Sequence, residues 1–473
     1  MLRKTERLFI FTRNFNNIYR CLSTETISET KKKVKSLKKK KSIEEKKIYK
    51  YFDKKIVQEY PEELFVKKKN NKKVDDNFYI ANEKAARIIF NELVKDLPKN
   101  KLLIEINPGI GLLTQLLIDE TKNDLFLFEQ KEDLFHKTAE IIQKYQNRKI
   151  SLRQCDFTTL WKMGFLDKQD NGNRVEEVFN KIQPKKFEDE TVARLFACIW
   201  SLSFMKDLIT SVVFQNGFSS VGRIEMFLCL PPPVFLTVAC SPSIGYFLYR
   251  SSAVLFQLLF EYEFITKIER KGFLPWKVKP KESKRLGKFL MTDFDYMYFI
   301  RVVPRRDLFK YVQLQDLPAL WFFVRQHLTS RTKTVIPTIE RWIPGSGPRL
   351  IVNSKPSIKP EILFPNNTMS SLPSYVAPCT SLSNNDFPEN IHIFTQFGML
   401  TPTQILSIFS EFKNWPEYDS CAFNNGLEKT LIKMHTKEEE EDISDDEVEE
   451  NTLVETMERP KNVSEILSSL TKK

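Results

Sequence analysis

The chain has 473 residues, of which 41% are hydrophobic and 12% aromatic, and it carries a formal net charge of +12. This apolar content is enough for a buried core, which excludes a wholly disordered chain, and 13 glycines are too few for a collagen-like protein. The seven cysteines form no Cys-x-x-Cys pair and only four histidines are present, which argues against a zinc ribbon and predicts buried thiols in a reducing compartment, without a metal site.

The first 73 residues are strongly basic. Residues 1–22 are rich in Arg and Phe and contain one acid, Glu6, which is typical of a mitochondrial presequence ending before Ser23. A basic N-terminus without a targeting role is the alternative. Residues 23–73 contain blocks of lysine that repel one another, and we interpret them as either a phosphate-binding arm or a solubilising linker. We therefore expect the protein in the mitochondrial matrix, within the nucleoid.

The first folded segment shows the order helix, strand, glycine turn, helix. Apolar residues at helical spacing predict a helix over 82–96, and an apolar run over 102–106 predicts a buried parallel strand. The turn at 107–111 contains two glycines, and helical spacing returns over 112–118. This order is typical of the nucleotide-binding start of a doubly wound α/β fold, although two glycines do not complete a Gly-x-Gly-x-x-Gly motif.

Carboxylates follow the next two predicted strands. The strand over 125–128 ends at Glu129, which is placed to accept hydrogen bonds from ribose hydroxyls. A third short strand over 150–152 leads to Asp156, which can accept a bond from the amine of adenine. The order of turn and acids suits adenosine bound at the carboxyl ends of parallel strands. The alternative is an ordinary α/β domain with surface acids.

Four segments, in this order, carry a family resemblance. Residues 105–114 (EINPGIGLLT) resemble motif I of the ribosomal RNA adenine dimethyltransferases, and residues 76–80 (DNFYI) resemble the Gln-Asn-Phe-Leu segment of that family. Residues 218–228 and 303–309 are similar to two later segments of its mitochondrial branch, the mitochondrial transcription factor B proteins, and of their second paralogue in particular. The resemblance runs from about residue 75 to residue 336 and resumes weakly over 390–428.

The resemblance implies a fold of class α/β, with a Rossmann-like, S-adenosylmethionine-dependent methyltransferase domain over residues 74–304. A small α-helical domain would follow over 305–437, with an irregular insertion over 338–389 and an acidic tail over 438–473. S-adenosyl-L-methionine would be the cofactor. By position, the residues that line its pocket would be Asn77, Tyr79, Asn107, Gly109, Glu129 and Asp156. Tyr79 stands where the family usually has Leu.

The family's catalytic motif is absent from the sequence. These enzymes use an Asn-[Leu/Ile]-Pro-[Tyr/Phe] turn after the fourth strand to hold the target amine and to stack on the flipped base. By position, residues 181–187 (KIQPKKF) stand there, so that Gln183 and Pro184 are the candidates. Only Pro184 matches the motif, and the catalytic residues therefore stay unassigned. Robust dimethylation is not expected, while Gln183 leaves residual activity open.

Clusters of basic residues are candidates for contacts with nucleic acid. The resemblance points to Arg331 and Lys333 at the start of the helical domain, where they could contact phosphates. Arg305 and Arg306 form a second cluster, and residues 277–285 a third. For any single cluster, a solvated helical face is the alternative. Three clusters together favour DNA or RNA as a partner.

The remaining segments predict packing and tail structure. The longest uncharged stretch, 226–249, is interrupted by three consecutive prolines, which predicts buried core segments and no membrane span. Thr401 and Pro402 predict the start of a helix over 401–412. Residues 438–450 contain ten acids and no base, which predicts a solvated tail. Competition of this tail with DNA for the basic surfaces is the alternative.

Two functions of different classes remain open on the sequence. The first is a monomeric initiation factor that partners the mitochondrial RNA polymerase and assists in melting promoter DNA, as the resemblance implies. The second is an S-adenosylmethionine-dependent dimethyltransferase that acts on adenines of mitochondrial small-subunit ribosomal RNA. The missing catalytic turn favours the first, while Glu129 and Asp156 keep the second open.

Overall fold

A computed structural model describes residues 52–65, 77–145, 147–180, 182–199, 201–275, 293–352, 358–364, 372–373 and 375–436. The chain divides into two units, residues 1–65 and residues 66–473. The predicted presequence, most of the lysine-rich arm, the basic cluster at 277–285 and the acidic tail lie outside the described residues.

The described part of the first unit is short. Its helix α1 spans Lys54–Glu59, and the side chain of Asp53 caps it by accepting a hydrogen bond from the backbone N–H of Lys55. A single turn of 3₁₀ helix, Glu62–Leu64, follows. Asp is among the preferred residues for the cap position, because its carboxylate satisfies an N–H group that the helix leaves without a partner.

The second unit is built on a mixed sheet of seven strands, in the order β4-β3-β2-β5-β6-β9-β7. A separate two-stranded sheet pairs β1 with β8. Within the described residues the strands are β1 Tyr79–Ile80, β2 Leu102–Ile106, β3 Leu125–Glu129, β4 Ile150–Gln154, β5 Ala193–Cys198, β6 Ile224–Leu230, β7 Phe260–Glu269, β8 Phe273–Leu274 and β9 Tyr296–Pro304.

Helices connect and cover the strands. Those between β1 and β7 are α2 Glu83–Val94, α3 Leu112–Glu120, α4 Glu132–Gln143, α5 Leu160–Asp170, α6 Arg174–Phe179, α7 Leu202–Phe214, α8 Pro232–Val238 and α9 Ser251–Leu259. Those after β9 are α10 Leu308–Tyr311, α11 Leu317–His327, α12 Val335–Ile339, α13 Ser346–Val352, α14 Pro402–Lys413 and α15 Ala422–Thr436.

Strands β2 to β6 run parallel, as the apolar runs in the sequence predict. All five residues of Leu125–Glu129 are buried, which is the pattern of a strand covered on both faces. The antiparallel β9 and β7 complete the sheet. The prediction of a Rossmann-like α/β fold is confirmed, and the carboxyl ends of β2, β3, β4 and β5 meet at one edge of the sheet.

An ion network links the starts of two central strands. Glu225 lies between Arg194, 2.8 Å away, and Arg301, 2.6 Å away, and both Glu225 and Arg194 are buried. Burial alone would raise the pKa of Glu225, but the two guanidinium groups hold it below its ordinary value. Arg194 also donates to the carbonyls of Leu93 and Lys95 at the end of α2. The network therefore ties β5, β6, β9 and α2 together.

One hydrophobic core is shared by the sheet and the C-terminal helices. It includes Phe204 and Leu228 of the sheet region together with Trp321, Phe323 and Phe409 of α11 and α14. Residues 66–473 form a single compact unit. The domain boundary expected between residues 304 and 305 stays a prediction, since the helices after it pack into this shared core.

The buried His327 shows how closely the C-terminal helices pack. Its Nδ1–H donates to the carbonyl of Phe323 at 2.7 Å, and its Nε2 accepts from the indole N–H of Trp342 at 3.3 Å. Its ring stacks on Phe397, with centroids 4.7 Å apart. Burial lowers the pKa of His327 to about 3, so the ring is neutral at physiological pH.

Helix α14 begins as the sequence predicts. The Thr401 hydroxyl accepts from the Gln404 N–H, and the Gln404 side chain accepts from the Thr401 N–H, which completes a capping box. The predicted irregular insertion contains helix α13, and its C-terminal part packs into the core without forming a helix or strand in the described residues. The Ala377 N–H donates to the carbonyl of Ala239 at 2.6 Å, and the hydroxyl of Tyr262 donates to the Ala377 carbonyl at 2.9 Å.

No helix within the described ranges is long and apolar enough to cross a membrane. Among the same residues, no group of three His, Cys, Asp or Glu side chains is arranged to hold a metal ion.

Candidate cofactor and nucleic-acid site

The glycine turn after β2 has a backbone that few residues can adopt. Asn107, Gly109 and Gly111 all have positive φ, at 55°, 64° and 78°. The φ of Gly111 favours glycine, and a Cβ atom there would also lie 2.5 Å from the Cδ1 atom of Ile141, which would have to shift. The turn leads directly into α3 at Leu112. It leaves the N–H of Gly109 pointing at the end of β3.

Glu129, at the end of β3, receives that N–H. Its Oε2 accepts from Gly109 at 3.0 Å, and its Oε1 accepts from the N–H of Lys131 at 3.0 Å and from the hydroxyl of Tyr79 at 3.3 Å. Both Glu129 and Tyr79 are 0% exposed. Burial raises the pKa of Glu129, and these hydrogen bonds oppose the shift.

A second buried carboxyl lies behind the turn. Glu105 of β2 accepts a hydrogen bond from the hydroxyl of Thr114 at 2.7 Å. Burial raises the pKa of Glu105 to about 8, so that its neutral form dominates at pH 7. The sequence analysis assigns no role to Glu105 beyond its place in motif I, because its burial depends on how α3 packs against the sheet.

A chain of side-chain amides connects the ends of three strands. The Asn77 Nδ2 donates to the Gln130 Oε1 at 2.8 Å, and the Gln130 Nε2 donates to the Asp156 Oδ2 at 3.1 Å. The other oxygen of Asp156 accepts from the N–H and the hydroxyl of Thr158. The structure thus brings Asn77, Glu129 and Asp156 to one edge of the sheet. Gln130, which links them, was missed by the sequence analysis.

Some polar atoms at this edge have no partner. Asn107 is 5% exposed, and neither its Nδ2 nor its Oδ1 has a hydrogen-bond partner in the part of the chain that the structure describes. The buried Oδ1 of Asn77 likewise has no hydrogen-bond partner among the described residues. A buried polar group without a partner costs about 1 to 3 kcal/mol. Such groups are characteristic of sites that bind a polar ligand.

The predicted position of the catalytic turn is wrong. Gln183 and Pro184 precede β5, the fourth parallel strand, so they lie at its amino end and not at the carboxyl edge. Strand β5 was not predicted, because its second residue, Arg194, is charged. The strand ends at Cys198 and is followed by Ile199, Trp200 and Ser201, of which Trp200 lies outside the described residues.

The end of β5 nevertheless lies beside the candidate cofactor residues. The N–H of Phe78 donates to the carbonyl of Cys198 at 3.0 Å, and Asn77 forms a bridge with Ile199. The hydroxyl of Ser201 accepts from the N–H of Phe204 and caps α7. Neither Cys198 nor Ser201 carries an amide that could orient the amine of a base. The Asn that the family uses for this task has no counterpart at this position.

The prediction that Arg305 contacts nucleic acid is wrong on physical grounds. Arg305 is 2% exposed, and its guanidinium donates to the carbonyls of Gln257 and Thr380 at 2.9 and 2.7 Å. These bonds hold the guanidinium inside the protein, so Arg305 is not placed to contact a nucleic acid. Its neighbour Arg306 is exposed, and its Nε–H donates to the carbonyl of Glu188 at 2.7 Å.

Arg331 and Lys333 lie in the segment that follows α11. The carbonyl of Arg331 accepts from the N–H of Gly398, and the carbonyl of Lys333 accepts from the N–H of Phe397, both at 2.9 Å. The Arg331 guanidinium lies 4.2 Å from the ring centroid of Tyr246. The Nζ of Lys333 donates to the carbonyl of Gln326 at 2.8 Å. Burial lowers the pKa of Lys333, and nearby Arg341 adds to the shift.

Apolar side chains stand in solvent next to this segment. Phe394 is 72% exposed, and Met399 is also exposed. The basic-aromatic surface is defined here as the set Tyr246, Arg331, Lys333, Phe394 and Met399. The sequence analysis missed Tyr246 and Phe394, because their exposure depends on pairing between segments that are distant in the sequence. The predicted role of Arg331 and Lys333 stays a prediction.

A model of the family described as "Ribosomal RNA adenine dimethylase" matches residues 67–346, which is more than half of the chain. The chain belongs to this family. A protein of Drosophila melanogaster described as "Dimethyladenosine transferase 2, mitochondrial" is 38% identical over 393 residues, which cover 82% of this chain and 86% of that protein. The resemblance read from the sequence motifs is therefore confirmed.

Two solved structures are similar to the chain. A dimethyladenosine transferase from Plasmodium falciparum has a TM-score of 0.40 at 10% identity, covering 69% of this chain and 95% of that one. The 23S rRNA methyltransferase ErmE has a TM-score of 0.37 at 14% identity, covering 71% and 100%.

The family's cofactor fits only part of the site as it stands. The unpartnered atoms of Asn107 and Asn77 could receive a polar ligand at the glycine turn. The carboxylate of Glu129, which would take the ribose hydroxyls, is closed to solvent and already accepts three hydrogen bonds. Asp156 likewise has both oxygens engaged by protein donors. The adenosine part of the cofactor therefore does not fit this arrangement of side chains.

Proposed function

We propose that the chain is a monomeric initiation factor for the mitochondrial RNA polymerase, which it assists in opening promoter DNA. The single observation that carries this proposal is the end of β5, where Cys198 stands in place of the Asn that holds the adenine amine in the family and Ser201 in place of the aromatic residue that stacks on the base. A family member that keeps the fold and lacks the catalytic turn retains the part that binds nucleic acid.

The basic-aromatic surface supports single-stranded nucleic acid as the ligand. Proteins that bind single strands combine cationic groups for the phosphates with aromatic rings on which bases stack, and the combination needs no fixed sequence. Arg331 and Lys333 supply charge, and the exposed ring of Phe394 supplies a stacking face. Melted promoter DNA is such a single strand. Arg306, exposed elsewhere, is a further candidate for a phosphate contact.

The variant Phe394→Ala is expected to bind single-stranded promoter DNA about tenfold more weakly, since loss of one stacked base costs about 1 to 3 kcal/mol. The thermal unfolding temperature should stay the same, because the ring packs into no core. Fluorescence anisotropy with a labelled oligonucleotide, at one fixed low salt concentration, measures the effect.

Leu314→Ala is the matched control. Leu314 is also an exposed apolar residue, but it precedes α11 whereas Arg331 follows that helix. An 11-residue helix is about 16 Å long, so the two ends are well separated. Equal losses of affinity in the two variants, or no loss in Phe394→Ala, would remove the surface from the proposal.

Run-off transcription with the purified cognate mitochondrial RNA polymerase tests the function itself. We expect the chain to be required on a duplex promoter template and dispensable on a template that is melted beforehand. Lack of any effect on either template would refute the proposal. In that event the alternative, S-adenosylmethionine-dependent dimethylation of mitochondrial small-subunit ribosomal RNA, would become the leading function, which the positions of Glu129 and Asp156 at the ends of neighbouring strands favour.

The proposed location is the mitochondrial matrix. The printed name of the Drosophila relative describes that protein as mitochondrial, and the basic, Arg-rich residues 1–22 are typical of an import signal. The nucleoid, where promoter DNA is found, is the proposed place of action.

A further inference from the structure

Tyr79 is held in a fixed position over the glycine turn. Its strand β1 pairs with β8, with Tyr79 opposite Leu274. The residue before it, Phe78, donates its N–H to the carbonyl of Cys198, and the N–H of Ala81 donates to the carbonyl of Gly272 at 2.8 Å. Backbone bonds on both sides therefore fix the direction of the Tyr79 side chain.

The hydroxyl of Tyr79 lies where a ligand hydroxyl would lie. It donates to the Glu129 Oε1 at 3.3 Å, which is the bond that a ribose hydroxyl would make with a carboxylate at the end of this strand. Neither Tyr79 nor Glu129 has any exposed surface. A ribose cannot reach the carboxylate unless the ring of Tyr79 moves away.

The neighbouring amide closes the rest of the edge. Gln130 donates to Asp156, the residue that would accept from the adenine amine, and accepts from Asn77, so Asp156 is bonded to the protein itself. Glu129 and Asp156, which would bind the nucleoside, thus accept hydrogen bonds from the protein, whereas Asn107 and the Oδ1 of Asn77 are left without partners among the described residues. The closure is confined to the part of the site that would hold the nucleoside.

We propose that Tyr79 seals the nucleoside site, its hydroxyl replacing a ribose hydroxyl on Glu129, so that this residue sets the affinity of the chain for S-adenosyl nucleosides. A smaller apolar residue at this position opens the site. This proposal goes beyond the proposed function, because it concerns nucleoside binding and holds whether or not the chain acts in transcription.

Isothermal titration of the full chain with S-adenosylhomocysteine tests the seal. Tyr79→Leu removes both ring and hydroxyl and is expected to bind about tenfold more tightly than the native chain, or more. Tyr79→Phe removes only the hydroxyl, and we expect an affinity between the two. S-adenosylhomocysteine should also raise the unfolding temperature of Tyr79→Leu more than that of the native chain.

Two further variants make the result specific. Tyr296→Leu makes the same replacement at an exposed position of β9 and should leave the affinity unchanged. Adding Glu129→Gln to Tyr79→Leu should abolish the gain, because the gain depends on the freed carboxylate. The proposal is overturned if a folded Tyr79→Leu binds no more tightly than the native chain, or if both Tyr79 variants bind more weakly. Duplex transcription by Tyr79→Leu, measured in parallel, reports on the proposed function separately.

Discussion

The variant Arg305→Ala is expected to lower the free energy of unfolding by about 3 to 5 kcal/mol. The guanidinium of Arg305 is buried and donates to two backbone carbonyls, those of Gln257 and Thr380. Those carbonyls belong to segments 123 positions apart in the sequence, and both would lose a charged donor without gaining access to water. Urea unfolding followed by tryptophan fluorescence measures the change.

Arg306→Ala is the natural control, because the two arginines are consecutive and only one is buried. Arg306 is exposed, so its removal should change the free energy of unfolding by no more than about 0.5 kcal/mol. The opposite pattern, a stable Arg305→Ala variant with weakened binding of DNA, would restore Arg305 to the interface and refute the assignment made from its burial.

Glu225→Ala should destabilise the fold to a similar degree, by about 3 to 5 kcal/mol, since removing one member of a buried ion network leaves the others uncompensated. Arg194, which is itself buried, would keep its carbonyl partners and its contact with the ring of Phe227 but would lose its acidic partner, and Arg301 would keep the longer contact of 4.0 Å to Glu263. Chemical unfolding at pH 7 measures the loss. A change below about 1 kcal/mol would show that the network contributes little.

The pH dependence of this difference has a definite sign. The folded-state pKa of Glu225 lies below its ordinary value, so its contribution is present above about pH 4.5 and is lost as the pH falls through the folded pKa. The difference in the free energy of unfolding between the native chain and Glu225→Ala should therefore become smaller in acid. Glu120→Ala, which breaks an exposed pair with Arg87, is the control and should cost about 0.5 kcal/mol or less.

The elements that the sequence predicted are those that local interactions determine. Strand Leu102–Ile106, its glycine turn and helix Leu112–Glu120 follow from an apolar run, two residues that tolerate positive φ and a change of period. Helix Pro402–Lys413 follows from Thr401 and Gln404, which cap it within one turn. Each of these features is contained in fewer than about 20 consecutive residues, so no distant contact is needed.

The parts that the sequence did not predict depend on distant partners. The second residue of strand β5, Arg194, is charged, and its partner Glu225 is 31 positions away. The pattern of apolar residues in the sequence gives no sign of such a pair. The resemblance placed two arginines at 305 and 306 but could not tell which one faces the core. The bridging role of Gln130 depends on the distance between two side chains on different elements. The catalytic turn was misplaced as a consequence of missing β5.

Among the candidate cofactor residues, too, some features follow from the local sequence and others depend on distant contacts. The positions of Glu129 and Asp156 at strand ends followed from the apolar runs before them, and the structure brings both to one edge of the sheet. The hydrogen bond from the Tyr79 hydroxyl to Glu129 could not be predicted. It depends on the pairing of β1 with β8, which lies nearly 200 residues further along the chain. The roles of these residues in binding stay predictions until affinity is measured.

The central claim is that the fold of an adenine dimethyltransferase serves here in transcription without the cofactor. The most direct test is run-off transcription on the duplex promoter with the variant Glu129→Ala, which removes the carboxylate that a cofactor's ribose would need. The account predicts the same transcript yield as with the native chain, on duplex and on melted templates. The account would be contradicted if the folded variant gave, on the duplex template, only the transcript yield seen without the factor, while its yield on the melted template stayed unchanged.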